Sequence, residues 1–250
     1  MSERIVRVAA AVILRGDGQV LLAQRPVGKV YAGYWEFPGG KLEAGETPHA
    51  ALVRELHEEL GLRIRRATPW LVQRYVYPHA HVELHFFRVW EWEGEPVGHD
   101  GQAFAWQTPG SFDVEPLLPA NTRVLSALLL PTVLGAGGLA GDGVGATCWS
   151  TEQLRAATTR PAEQRCGAWC RSRADVEKAA ELGLDLAVLG PVRSSANDAG
   201  AVPLGWAGFS AAVDGTTLPV FAAGGLGRDD LATAIDHGAH GVVLDLAQRS

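Results

Sequence analysis

Three glutamates, Glu55, Glu58 and Glu59, stand at i, i+3 and i+4 in a segment that carries helix signals. At this spacing the carboxylates share one helix face, where they repel one another. A divalent cation turns that repulsion into attraction. Hard oxygen ligands of this kind select Mg²⁺ or Mn²⁺, which also take oxygens from substrate phosphates. The same spacing occurs on solvated acidic helix faces, so the three residues alone leave both interpretations open.

The residues around the glutamates predict the helix that has to position them. Thr47 is a good N-cap, Pro48 suits the first turn, and Gly61 suits the position after the end. We therefore predict a helix over 48–60. Its apolar stripe for the core lies on a separate face and consists of Val53, Leu56 and Leu60.

A longer pattern surrounds these residues. The segment from Gly40 to Leu62 fits G-x5-E-x7-R-E-U-x-E-E-x-G-U at every fixed position, with U an aliphatic residue. This is the Nudix box, and the chain therefore resembles the Nudix hydrolases, which cleave nucleoside diphosphates linked to another moiety. Four flanking runs extend the resemblance to the MutT-type 8-oxo-dGTP diphosphatases: EFPGGK at 36–41, GETP at 45–48, WEGEP at 92–96 and LPAN at 118–121.

The resemblance, which covers residues 4 to about 130, implies a metal site. Glu55, Glu58 and Glu59 would bind Mg²⁺, or Mn²⁺, with help from the carbonyl of Gly39. Asp100 stands where the family has a glutamate in a loop, and it would be a further ligand or the base. Asp is one methylene shorter than Glu, and a solvated turn carboxylate is the alternative interpretation of Asp100.

The remaining catalytic and substrate-binding roles also follow from the resemblance. Arg54 would orient the glutamates by ion pairing, and either Glu58 or Asp100 would accept the proton from the attacking water. Arg25 would contact the nucleotide and Phe37 would lie against the base. Asn121 would read the purine edge, since an amide offers a donor and an acceptor, although Asn is equally apt as a helix N-cap.

One position departs from the subgroup. Where the MutT type places an arginine after the Pro78 turn, this chain has Ala80, so one nucleotide contact is missing. The histidines nearby are expected to lie on an exposed strand face, with metal ligation as the alternative, and they are His79, His81 and His85.

Composition narrows the partners and the compartment. The net charge of −6 argues against a nucleic-acid polymer, which would require a basic surface. No apolar run reaches the ~18 residues of a membrane span, and the N-terminal residues lack a signal-peptide pattern. Three cysteines give no disulfide framework, which fits a reducing cytoplasm. Cys166 and Cys170 are expected to be buried thiols rather than metal ligands.

Two domains and a linker are predicted. Residues 1–130 alternate strands with two helices, as in the α/β/α sandwich with a mixed sheet that the Nudix fold implies. Within them, apolar runs at 5–14 and 20–24 around Arg15-Gly16-Asp17-Gly18 predict a β-hairpin. Residues 131–141 form a Gly-rich linker.

Residues 142–250 show repeated β-α units, which imply a parallel sheet. The runs at 187–192, 203–206, 221–226 and 238–242 resemble thiamine-phosphate synthase and TenI-like proteins. Those are (β/α)₈ barrels that hold phosphate on Gly-Gly turns after late strands, a position occupied here by Gly224 and Gly225.

The barrel is predicted to be incomplete. A full barrel needs about 200 residues or more, and the early strands with their basic residues have no counterpart. We therefore expect no synthase activity from this half and expect the first half to hydrolyse nucleotides without it. An open sheet also leaves strand edges to be covered, and self-association through the C-terminal domain is one solution.

These observations predict a Mg²⁺-dependent nucleoside triphosphate diphosphatase that converts 8-oxo-dGTP to 8-oxo-dGMP and pyrophosphate. Such an enzyme cleans the nucleotide pool and prevents mutation during DNA replication. One alternative is a Nudix hydrolase of a thiamine-pathway diphosphate. Another is a nucleotide- or thiamine-phosphate-binding regulator without turnover, against which the intact glutamate set argues.

Overall fold

The fold is known from a computed structural model, which describes residues 5–99, 101–135, 144–160, 165–195 and 200–245. Contacts between residues divide the chain into two compact units, Met1–Leu129 and Leu130–Ser250.

The described part of the first unit contains seven strands and two helices. They are β1 Ile5–Ile13, β2 Val20–Gln24, β3 Trp35–Glu36, β4 Gly39–Lys41, α1 Pro48–Leu60, β5 Arg63–Tyr77, β6 Ala80–Glu93, β7 Phe104–Gln107 and α2 Thr122–Ala127. A 3₁₀ turn at Pro119–Asn121 leads into α2.

The first unit is built on a mixed sheet, as the sequence predicts. The strand order is β4-β1-β6-β5, with β1 parallel to β6 and the other pairs antiparallel. Side chains of β1 alternate between two cores. Ala9, Ala11 and Ile13 pack with the apolar residues of α1, whereas Ala10 and Val12 pack with those of α2. The two helices therefore contribute to different cores.

The predicted hairpin of the first two strands is confirmed only at its turn. A turn does form, because the N–H of Arg15 donates to the Gln19 carbonyl at 2.9 Å. Only Leu14 and Val20 bridge across it, however, and β2 enters a second, antiparallel sheet of order β3-β2-β7. The turn residues predicted the reversal of the chain, but strand pairing was decided by distant partners.

Helix α1 begins and ends at the predicted residues. The Thr47 hydroxyl accepts from the N–H of Ala50 at 3.2 Å, and Gly61 ends the helix with φ 67°. That left-handed conformation carries little steric cost for glycine. The apolar stripe is displaced from the prediction, because Leu52 is fully buried with Leu56 and Leu60 whereas Val53 is only half-buried.

The second unit contains six strands and four helices in its described residues. They are β8 Val133–Leu134, β9 Thr147–Trp149, α3 Thr151–Ala156, β10 Cys166–Cys170, α4 Arg173–Glu181, β11 Leu186–Leu189, α5 Gly205–Val213, β12 Val220–Ala222, α6 Leu231–Asp236 and β13 Gly241–Val243. All neighbours pair in parallel in the order β8-β13-β12-β11-β10-β9. This is the predicted incomplete barrel.

The start of the predicted linker is wrong. Residues Val133–Leu134 form strand β8, in which Val133 lies opposite Val242 of β13. Because a Gly-rich segment follows directly, the sequence did not indicate this strand of two residues. The rest of the predicted linker, residues 136–141, lies outside the described residues.

In the described ranges, no helix combines the length and the apolar character needed to cross a membrane.

Candidate active site

A cleft of about 570 Å³ lies in the first unit beside the acidic helix. Its lining includes Glu55 and Glu59 from α1 and both Gly39 and Gly40 from β4. Three cations also line it, namely Arg25, Lys29 and Lys41. Carboxylates and cations therefore face the same space, as binding of a metal ion together with an anionic substrate requires.

Arg54 is the most highly connected side chain of this region. Its Nε and Nη2 donate to the two carboxylate oxygens of Glu46 at 3.0 and 2.9 Å. Nη1 donates to Glu55 at 2.9 Å and to Glu58 at 3.2 Å. Nη2 also donates to the carbonyl of Lys41 at 3.1 Å. One guanidinium thus joins the helix to the loop before it and holds two of the three glutamates.

The charges in this network stabilise one another. Hydrogen bonds from Arg54 lower the pKa of Glu46, and the N–H of Glu43 adds to this effect. The pKa of Arg54 is raised, first by its hydrogen bonds to Glu46 and then by those to Glu55. The ion pairs that Arg54 makes with Glu46 and with Glu55 therefore support one another.

Gly40 makes room for the Glu55 carboxylate. A Cβ built at position 40 would overlap all three carboxylate atoms of Glu55. The box requires glycine here, and the structure supplies the physical reason, which the sequence alone does not show. The side chain of Glu55 lies in a groove that exists only because residue 40 has no side chain.

The donor set fits a hard divalent cation in its chemistry. Glu55 is 16% exposed, Glu58 is 59% exposed, and Gly39 lines the cleft together with Glu55. No three His, Cys, Asp or Glu side chains within the described ranges are grouped closely enough to hold an ion. Both Glu55 and Glu58 accept hydrogen bonds from Arg54.

The loop that carries Asp100 is fastened to the end of α1. The N–H of His99 donates to the Glu59 carbonyl at 3.0 Å, and the amide of Gln102 donates to the same oxygen at 3.4 Å. The N–H of Val97 donates to the Leu60 carbonyl at 3.0 Å. Asp100 itself lies outside the described residues, so its role stays a prediction.

Arg25 lines the cleft, and its guanidinium is paired with the carboxylate of Glu36. Its Nη1 is 2.5 Å from a carboxylate oxygen of Glu36, and its Nε donates to the Val30 carbonyl at 2.8 Å. Burial raises the pKa of Glu36, and the charge of Arg25 opposes that rise. Sequence reasoning missed Glu36, although its place in the EFPGGK run was a signal. Phe37 is buried and packs edge-on against Phe86 at 5.8 Å.

Asn121 is 2% exposed, and its amide nitrogen has no hydrogen-bond partner. It precedes α2, yet its side chain makes no capping hydrogen bond to that helix. Leu118, three residues earlier, lines the cleft. A buried amide donor without a partner carries a free-energy cost of about 1–3 kcal/mol. A substrate group that reached it would remove that cost.

Of the other candidate ligands that the sequence offers, one lines the cleft and the rest make other contacts. His79 lines the cleft, whereas His85 contacts Glu83 at 3.1 Å. Cys166 and Cys170 are buried free thiols, and burial raises the pKa of Cys170 to about 12. These two cysteines are therefore inert thiols, as the sequence predicts.

In the second unit, the Gly-Gly turn after β12 already has an anion. The N–H of Gly225 donates to the carboxylate of Asp245 at 3.1 Å, and the Ser195 hydroxyl donates to the same oxygen at 2.5 Å. The N–H of Asp245 donates to the Leu226 carbonyl at 3.1 Å. A phosphate group does not fit this turn while Asp245 occupies it. Sequence reasoning missed this contact, because the partners are 20 and 50 residues apart.

Comparison with known proteins identifies both units. The sequence profile of the NUDIX domain matches residues 9–127, and that of thiamine monophosphate synthase matches residues 141–245. The two resemblances inferred from the sequence are thereby confirmed.

Individual relatives match the first unit. The 8-oxo-dGTP diphosphatase of Haemophilus influenzae is 40% identical over 132 residues, which are 53% of this chain and 97% of that protein. The CTP pyrophosphohydrolase of Escherichia coli is 41% identical over 132 residues, covering 50% of this chain and 93% of that protein. A crystal structure of the MutT NUDIX hydrolase from Burkholderia pseudomallei is 29% identical, covers 50% of this chain and 98% of that one, and has a TM-score of 0.46.

Gly40→Ala tests the groove for Glu55. The added methyl group meets a movable carboxylate rather than backbone, so we expect an unchanged fold and a displaced Glu55. Displacement of a reacting group by about 1 Å lowers turnover on the order of 100-fold. Gly16→Ala is the control, because a Cβ there meets nothing within 4 Å. Hydrolysis rates and melting temperatures of both variants are the measurement, and equal rates would contradict the role of the groove.

Asp245→Ala tests whether this carboxylate closes the Gly-Gly turn. With the N–H of Gly225 released, we expect inorganic phosphate at millimolar concentration to shift the Gly225 signal in amide NMR spectra. The wild type should show no such shift. Asp245→Asn keeps an acceptor oxygen and should behave like the wild type. A wild-type Gly225 signal that responds equally to phosphate would contradict the closed turn.

Proposed function

Since the chain belongs to the Nudix hydrolases, we propose that its first unit hydrolyses nucleoside triphosphates to a monophosphate and pyrophosphate, with 8-oxo-dGTP as the preferred substrate. The observation that carries this proposal is the cleft in which Glu55 and Glu59 share the lining with Arg25, Lys29 and Lys41. The 8-oxo-dGTP diphosphatase of Haemophilus influenzae, similar over nearly its full length, supports the choice of nucleotide.

Nudix hydrolases generally require a divalent metal ion, and we propose Mg²⁺ here. When bound, the ion offsets charge that develops on the phosphate oxygens and lowers the pKa of the attacking water. Glu55, Glu58 and Glu59 would hold it together with the carbonyl of Gly39. Carboxylate and carbonyl oxygens are the ligands that Mg²⁺ prefers, and it accepts a few protein ligands beside the substrate.

The chain's own residues do the rest of the work. Arg54 donates hydrogen bonds to Glu46, Glu55 and Glu58. These bonds position the carboxylates of the acidic helix face before substrate binds. Glu58 or Asp100 accepts the proton of the water. Arg25 faces the nucleotide, and its contact with Glu36 limits the directions in which it can point.

Base recognition is assigned to Asn121. Its buried amide nitrogen lacks a partner, and the adjacent turn reaches the cleft through Leu118. An amide supplies the donor and the acceptor that an oxidised guanine edge requires. Removal of such a nucleotide from the pool prevents its incorporation into DNA, which is the cellular role that we propose.

CTP is the second candidate substrate. The CTP pyrophosphohydrolase of Escherichia coli is as similar to this chain as the 8-oxo-dGTP diphosphatases are. Position 80, where the MutT type has an arginine, is alanine here and lines the cleft, so one contact to the purine nucleotide is absent. Pyrophosphate release from 8-oxo-dGTP, dGTP and CTP, with and without Mg²⁺, separates the two candidates.

We assign hydrolysis to the first unit and no synthase activity to the second. The glutamates and the cleft belong to the first unit, and the Gly-Gly turn of the second is filled by Asp245. The parallel sheet of the second unit ends in strands β8 and β9, which have no further neighbours in the described residues. Self-association through such an edge is a proposal that analytical ultracentrifugation tests.

Glu58→Gln tests the catalytic face. Glu58 is exposed and lies outside the apolar stripe, so packing should be unchanged. We expect the activation barrier to rise by several kcal/mol, which lowers the turnover rate at least about 1000-fold. Glu181→Gln is the matched control, because it makes the same change at an exposed helical position in the second unit. Rates with Mg²⁺ are measured for both, and near wild-type turnover by Glu58→Gln would exclude the assigned role.

Asn121→Ala tests base reading. We expect the ratio of kcat/KM between 8-oxo-dGTP and dGTP to narrow about tenfold, since one buried hydrogen bond contributes about 1–3 kcal/mol. No hydrogen bond of the amide nitrogen is lost, and the cost of its missing partner is removed, so stability should not fall on that account. Thr122→Ala, which removes a hydroxyl bonded to the Pro119 carbonyl in the same turn, should leave the ratio unchanged. A wild type without preference would refute the subgroup assignment.

A further inference from the structure

Three aromatic side chains form one wall of the cleft. The ring of Tyr31 lies 5.3 Å from that of Tyr77 and 5.8 Å from that of His79, and the latter two are 5.5 Å apart. All three residues line the cleft together with Arg25 and Glu55. A continuous aromatic surface therefore faces the same space as the acidic helix.

We propose that Tyr31 is a substrate-binding residue whose ring stacks on the nucleobase and holds it whatever its identity. This inference rests on the proposed function, because it requires a nucleoside triphosphate in the cleft. It assigns binding of the base face to the aromatic wall, and reading of the base edge to Asn121. A wall of this kind makes the enzyme accept several nucleotides, since every base has a π face.

The backbone of Tyr31 is the first support. Its φ of 59° is the only positive value of a non-glycine residue in the described ranges. For a bulky residue this left-handed conformation is strained, and such strain is concentrated at ligand-binding positions. The two other residues of this loop with positive φ, Gly28 and Gly33, are glycines, which adopt such a conformation without strain. Position 31 has a bulky aromatic residue in the same kind of conformation.

The loop that carries Tyr31 is fixed before any ligand binds. Arg25 donates from its side chain to the carbonyl of Val30, and its own carbonyl accepts from Gly33 at 2.9 Å. The N–H of Tyr34 donates to the Tyr31 carbonyl at 3.1 Å. The same guanidinium that faces the cleft thus holds the residue before the aromatic ring. Ring and cation are positioned as a unit, which lowers the entropic cost of binding.

The residues of the aromatic wall favour stacking on the face of a base over hydrogen bonding to its edge. Ala80 lines the cleft next to His79, so position 80 provides no guanidinium to a base or a phosphate. Tyr77 is buried, and its hydroxyl hydrogen-bonds to the Ala120 backbone, beside Asn121. The aromatic wall therefore ends where the edge-reading amide begins.

Tyr31→Asn is the decisive variant in the full-length protein. Asn tolerates the left-handed conformation, so the loop should persist while the ring is lost. We expect KM for 8-oxo-dGTP, dGTP and CTP to rise by a common factor of roughly 5 to 100, the loss of one stacked base. The kcat values should stay within about twofold, and the kcat/KM ratios between bases should be unchanged.

Two further variants separate stacking from structure. Tyr31→Phe keeps the ring and should return KM most of the way to the wild-type value. Tyr75→Ala removes a ring that contacts Tyr77 at 4.5 Å but is absent from the cleft lining, and it should leave KM unchanged. Melting temperatures of all variants show whether the loop remains folded.

The outcomes are distinct. If the wild type hydrolyses none of the three nucleotides, the proposed function is wrong and this inference is overturned with it. If the wild type hydrolyses them and Tyr31→Asn leaves every KM unchanged, or raises KM for one base alone, only the stacking assignment is wrong. A fall in kcat without a change in KM would also overturn it, because it would place Tyr31 in the chemical step.

Discussion

The guanidinium of Arg54 is the interaction on which the candidate site depends. Three glutamates on one face of a helix would repel one another and splay apart, and Arg54 provides the positive charge among them in the described structure. Its two bonds to Glu46 also tie the helix to the preceding loop, so the helix cannot turn about its axis without breaking them. Because donors and acceptors are both charged, these bonds are stronger than neutral ones. A lysine could not replace this residue, since one ammonium lacks the fork geometry.

Much of this site could be predicted because its determinants are local. Thr47, Pro48 and Gly61 set the ends of α1 within its own sequence, and the i, i+3, i+4 spacing placed the glutamates on one face. The pairing of Arg54 with Glu58 follows from their i, i+4 spacing, whereas Glu55 is the next residue in the chain. The parallel sheet of the second unit was equally visible, because each β-α unit repeats a local pattern.

What could not be predicted involves partners distant in the sequence. Strand β2 pairs with β7 rather than with β1, which precedes it in the sequence, and the turn residues do not determine this pairing. The groove at Gly40 and the carboxylate of Asp245 at Gly225 join residues 15 and 20 positions apart. The left-handed backbone conformation of Tyr31 is one that bulky residues disfavour, so it is determined by surrounding contacts rather than by the residue itself. Leu52 rather than Val53 completes the apolar stripe, because Leu52, Leu56 and Leu60 repeat at intervals of four residues and so share one helix face.

The pairing of β8 with β13 has a consequence for how the protein is made. Val133 in β8 pairs with Val242, which is about 110 residues later in the sequence, so this contact forms late and slowly. A ribosome adds all of these residues before the partner of β8 is made. Until then both backbone edges of β8 lack a strand partner, and an unpaired strand edge is where pairing with another chain can begin.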